Sequence, residues 1–133
     1  MSELNLPQNT LVVVATGAEA KLFRFKGDTL KTTDDWTPQD LADEGPSGKS
    51  PAERSPKESI EATFSKQLAE RLYSMSHAGK FNKLVLSADP ETLGEVRPLL
   101  HDEVTNKIIC ELNKTLINSS IHHIERSIAS EMS

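Results

Sequence analysis

Gly45-Pro46-Ser47-Gly48-Lys49-Ser50 holds the residue types of a phosphate cradle: glycines that let backbone amides converge, a lysine and a hydroxyl. The spacing argues against that use. A mononucleotide loop needs G-x-x-x-x-G-K-[ST] between a strand and a helix, whereas here two residues separate the glycines and the helix signal comes later. Nucleotide binding is not expected. Long loops inside compact domains are often functional, so Gly45, Ser47, Gly48, Lys49 and Ser50 stand as a functional-loop candidate.

Nucleophile and metal chemistry find less. Cys110 lies within the apolar run KIICEL, Lys107 to Leu112, where a buried and inert thiol is expected. His122 and His123 are adjacent on a predicted helix and cannot share a face, while His77 and His101 fall near helix ends. No H-x-x-x-H or H-E-x-x-H spacing occurs. Metal-assisted phosphoryl transfer needs several carboxylates converging on two cations. Asp89, Glu58 or Glu61, and Glu125 are the available acids, and each is explained as a helix cap or a solvated face. The expectation is a non-catalytic chain with no metal and no cofactor.

The elements that position these residues are legible. A chain of 133 residues is one domain by length. Fifteen Lys and Arg against twenty Asp and Glu give a net charge of -5, which opposes non-specific attraction to polyanions, although a local basic patch remains compatible. The single cysteine excludes a disulfide framework and suits a reducing cytosol. The opening MSELNLPQNT lacks the basic and apolar regions of a signal peptide, and no run reaches the ~20 apolar residues that span a bilayer. A cytoplasmic protein without a membrane partner is expected.

Leu11 to Ala15, LVVVA, reads as a strand buried on both faces. Lys21 to Lys26 alternates, with Leu22 and the stem of Arg24 on one face and Phe23 and Phe25 on the other, and Thr29 to Trp36 follows the Gly27-Asp28 turn as a third strand. Residues 37–57 carry four prolines and two glycines without periodicity and read as a long mobile loop. Ser55-Pro56-Lys57-Glu58 supplies a cap, a first-turn proline and a capping-box glutamate. Ile60, Phe64, Leu68, Leu72 and Met75 then draw one helical stripe, with Gly79 as its stop. Leu84-Val85-Leu86 forms a strand, and Asp89-Pro90-Glu91 opens a helix with Leu93, Val96 and Leu100 inward, kinked or restarted at Pro98. Lys107 to Leu112 is the last strand. Ile117, Ile121, Ile124 and Ile128 make the stripe of a final helix starting between Asn113 and Asn118.

The order β-β-β-α-β-α-β-α places an antiparallel meander before parallel strands joined by crossover helices. Right-handed crossovers set the later strands beside the first, which predicts an α/β fold with a mixed five-stranded sheet of order 3-2-1-4-5 and three main helices. That is the arrangement of ribonuclease H-like folds.

Several stretches occur in order: VVVATGAEAKLFRF, the loop around Gly45 to Ser50, Phe64 with Leu68-Ala69-x-x-Leu72, the Phe81 to Ala88 strand, Leu93-Gly94-x-x-Arg97-x-x-Leu100, and Leu112-Asn113-Lys114-Thr115-Leu116. Together they resemble the bacterial host attachment proteins, the "protein required for attachment to host cells" family. That family is similar to the middle domain of archaeal and eukaryotic class-1 peptide release factors. The resemblance implies a ribosome or structured-RNA partner, or a protein partner, for a cytosolic binding or regulatory module linked indirectly to attachment. Release factors carry a Gly-Gly-Gln tripeptide that this chain lacks. The competing expectation is a ribosome-associated hydrolase acting through the 45–50 loop. For RNA, the expected phosphate contacts are Lys21 and Arg24 on the meander, Lys49 and Arg54 on the loop, and Arg97 and Lys114 near ends of the parallel strands.

Overall fold

The computed structural model describes residues 4–37 and 56–132, with side chains of the long helix described from Thr63. Strands β1 (Leu11–Ala15), β2 (Ala20–Lys26) and β3 (Thr29–Trp36) precede helix α1 (Pro56–His77). Strand β4 (Leu84–Ala88) leads to α2 (Pro90–Val96), a 3-10 turn (Arg97–Leu99) and a short α3 (Asp102–Thr105), before β5 (Ile108–Asn113) and α4 (Ile121–Met132). The sheet order is β3-β2-β1-β4-β5, with β1 antiparallel to β2 and parallel to β4. The expected α/β sheet and its order are what the chain adopts.

Each face of the sheet carries one apolar layer, as period-two strands require. Leu11, Val13, Ala15, Leu22, Leu84 and Leu86 meet Phe64, Leu68 and Leu72 of α1, Leu93 and Val96 of α2, and Val104 of α3. On the other face, Val12, Val14, Phe23, Phe25, Val85 and Leu112 meet Ile124 and Ile128 of α4, together with Leu4 and Leu6. Both register shifts leave an extra residue on an edge strand, Thr33 in β3 and Ile109 in β5. Bulges there discourage a further strand from pairing. Glu125 of α4 also accepts hydrogen bonds from Leu30 N (2.7 Å) and Thr29 Oγ1 (2.6 Å) at the start of β3.

Local chemistry explains the helix ends. Gly79 adopts φ +75°, while its N–H donates to Ser76 O and Lys80 N to Met75 O, the paired closure that stops a helix at a left-handed residue. Asp89 caps α2, accepting from Thr92 N at 3.2 Å. Pro98 does end that helix, and α3 restarts the chain with His101 Nδ1 accepting from Glu103 N at 3.1 Å. The Ser55 cap and the 45–50 loop lie outside the described residues.

The final helix corrects the expected start. It begins at Ile121, because Ser120 Oγ accepts from His123 N at 3.1 Å and caps it there. Ile117 is buried from the preceding turn rather than from the helix, and Ile121 is exposed. A non-helical segment can drop one side chain into the core at a spacing that imitates a helical stripe.

Candidate functional site

Topology sorts the charged residues to the two ends of the strands. β1, β3, β4 and β5 start at one end, where β2 finishes; this amino end collects Arg24, Lys26, Lys31 opposite Arg24, Lys80, Lys83 and Lys107. Backbone bonds fix their order across the sheet: Asn9 N donates to Phe25 O, Leu11 N to Lys83 O at 3.0 Å, and Leu84 N to Lys107 O at 2.8 Å. Lys26, Lys83 and Lys107 therefore stand on successive parts of one rim. Lys26, Lys80 and Lys83 are exposed.

Arg24 and Lys107 are tied down. Arg24 Nη1 donates to Asn9 O at 3.0 Å, and partial burial lowers the guanidinium's proton affinity. That bond holds a turn in which Asn9 has φ 68° and Gln8 pairs both ways with Gly27. Lys107 Nζ donates to Ser76 Oγ at 2.7 Å and Phe81 O at 3.2 Å, and lies 5.3 Å from the centre of the Phe81 ring. Ser76 Oγ donates in turn to Glu103 Oε2 at 2.7 Å, and His77 Nδ1 is 3.5 Å from Glu103 Oε1. The Ser76 bond first, then His77 and the Lys107 charge, hold the Glu103 carboxyl below its ordinary range against a smaller opposing effect of burial. Although serine and lysine are within reach, Ser76 is buried near the end of α1 and its proton is directed at a carboxylate. The arrangement joins α1 to α3 and β5.

The opposite, carboxyl end is acidic. Glu19, Asp34, Asp35, Asp89 and Glu91 lie there with Lys21 and Lys114. Burial first, and then the hydrogen bond and charge of Asp35, push the Glu19 carboxyl up, with Lys21 opposing. Ser87 Oγ donates to Lys114 O at 3.1 Å, which fixes the lysine's backbone. Lys21, paired with Val14 and Asp35, and Arg24, paired with Leu11 and Lys31, thus stand toward opposite ends of β2 and on opposite faces of the sheet. Arg97 is elsewhere again: its Nε meets Glu111 Oε1 at 3.2 Å beside an open hollow of about 400 Å³ lined by Gly94, Pro98, Leu100 and Thr105. Lys49 and Arg54, like the 45–50 loop residues, lie outside the described residues.

Lys26, Lys80, Lys83 and Lys107 are not among the cations expected from the sequence, which lie on the meander, the loop and near ends of the parallel strands. The available signal was positional, since each stands at a strand or helix boundary on the same end once the order 3-2-1-4-5 is drawn. Cys110 is buried in β5, and burial pushes its thiol up, with Glu131 and Glu111 adding to the effect. Among the described residues, no three His, Cys, Asp or Glu side chains come together as a metal cluster, and no helix is long and apolar enough to cross a membrane.

The model of the family described as "Bacterial archaeo-eukaryotic release factor family 12" matches residues 9–128, from the amino-end turn into α4. Among solved structures, an "Archaeal protein" is similar at a TM-score of 0.49 and 12% identity, covering 91% of this chain. This chain spans 36% of that protein. No curated protein matches.

Proposed function

We propose a translation-associated role from one premise: this chain belongs to bacterial archaeo-eukaryotic release factor family 12. The reading is a non-catalytic, cytoplasmic binding module that associates with the ribosome, built on what we read as a ribonuclease H-like sheet. The match over residues 9–128 is the observation that carries it. Peptide release is not assigned, because the chain has no Gly-Gly-Gln run. Any part in attachment to host cells is then indirect, through an effect on protein synthesis.

Co-sedimentation of the full chain with bacterial ribosomes tests this reading. The chain is expected in the ribosomal fraction at low salt, without release of peptide from peptidyl-tRNA. Its absence from that fraction at every salt concentration would overturn the reading, and peptide release would replace the binding module by a hydrolase.

A further inference from the structure

We propose that the amino end of the sheet binds the phosphate backbone of folded RNA, with Lys26, Lys80 and Lys83 as the contacting groups. The inference rests on the translation-associated reading and adds the surface and its ligand. These lysines make no ion pair among the described residues, so their charge is available to a partner. They are also held on rigid positions: Lys26 ends β2, Lys83 precedes β4, and Lys80 follows the Gly79 closure.

The rim crosses β2, β1, β4 and β5. Lys26 on β2 and Lys83 before β4 are separated by two strand spacings of about 4.8 Å, roughly 10 Å, a distance that meets successive phosphates of one nucleic-acid strand. Arg24 and Lys107 are fixed by protein partners and contribute potential rather than new contacts. Of the acids at this end, Glu103 is engaged by Ser76 and His77 and Glu125 by Thr29 and Leu30, which leaves Asp28 in the turn beside Lys26 and Asp102 on α3 exposed. Glu19, Asp34, Asp35, Asp89 and Glu91 lie at the far end, so a chain of net charge -5 presents its basic end to a polyanion. Phe25 and Phe81 near the rim are buried, the latter beneath Lys107. Neither offers a face for base stacking, so backbone contacts without base readout are expected.

Binding of the full chain to intact ribosomes and to protein-free ribosomal RNA, measured across a salt series, tests the proposal. Lys26→Gln/Lys80→Gln/Lys83→Gln should reduce the slope of log affinity against log salt by about three and weaken low-salt binding to both by at least about 100-fold. Lys66→Gln, exposed on α1 away from the rim, should leave the slope nearly unchanged. Lys26, Lys66, Lys80 and Lys83 are all exposed, and equal melting temperatures establish that the variants fold. Unchanged binding of the triple variant to RNA overturns the rim assignment while leaving ribosome association standing. Binding to ribosomes but not to protein-free RNA also overturns it, in favour of a ribosomal protein. Binding to neither overturns this inference and the reading beneath it.

Discussion

Lys107 Nζ lies 2.7 Å from Ser76 Oγ, which joins the residue before β5 to the last turn of α1. The same ammonium group reaches Phe81 O, in the turn between α1 and β4, at 3.2 Å. A cation beside the negative end of a helix is favourable, and its hydrogen bonds are charge-assisted. Lys107→Met keeps much of the stem over the Phe81 ring but removes these bonds. It should cost about 1–2 kcal/mol, seen as a melting temperature lowered by several degrees. Lys26→Gln, at an exposed position without an ion pair among the described residues, should leave the melting temperature unchanged.

The acid joined to that pair sets a pH dependence. Glu103 is held below its ordinary value of 4.5, chiefly by the Ser76 hydroxyl. A depressed carboxyl contributes stability above its unfolded value, and loses it as pH falls through the lower folded value. Glu19 has the opposite sign, because burial and Asp35 raise it: its contribution is present at acid pH and is lost as pH rises through the folded value. Denaturant titrations between acid and neutral pH should show Glu103→Gln flattening the acid loss. Asp35→Asn should raise stability at neutral pH relative to acid. Parallel curves for wild type and Glu103→Gln would sink the first assignment.

Two glycines should respond in opposite directions to alanine. Gly79 stands at φ +75°, where a Cβ is strained by about 1–2 kcal/mol, and Gly79→Ala should lose about that much stability. Gly94 is inside α2, and a Cβ there meets nothing within 4 Å. Gly94→Ala should gain up to about 1 kcal/mol from helix propensity. Thermal melts of the two variants decide it, and a destabilised Gly94→Ala would mean that the hollow beside Arg97 cannot accept a methyl group.

Sequence patterning revealed the sheet more fully than the charged surface. LVVVA fixed a central strand, and Asp89-Pro90 and Gly79 marked helix boundaries through requirements local to the backbone. Pro98 likewise announced a break, although α3 and its His101 cap depended on a turn too short to leave a periodic signature. The rim was not legible for a different reason. Lys26, Lys80, Lys83 and Lys107 come from three separate connections, and only strand order brings them to one end. Their charge carries no sequence motif, whereas Lys21 and Arg97 stand out from their place on the meander edge and near the end of a parallel strand.

Burial also makes Cys110 a reporter of the fold. Its raised thiol proton affinity reduces the reactive thiolate, and its position in β5 limits access. A neutral thiol reagent at pH 7 should modify the native chain much more slowly than the denatured chain. Added denaturant should accelerate labelling in step with unfolding measured by circular dichroism. Rapid native labelling would show that β5 opens locally.

The final helix offers the sharpest separation between periodicity and packing. Ile121 and Ile128 are seven residues apart and belong to the same apparent stripe, yet Ile128 is fully buried with Val12, Phe25 and Leu112 while Ile121 opens the helix at the surface. The Ser120 cap puts Ile121 in the first turn, and the buried Ile117 comes from outside the helix. Ile128→Ala should therefore cost about 2–5 kcal/mol through lost burial and a cavity, whereas Ile121→Ala should change stability by less than about 0.5 kcal/mol. Urea unfolding of the two variants measures this difference directly. Equal losses would mean that the isoleucine stripe packs along its whole length and that the helix starts earlier than Ile121.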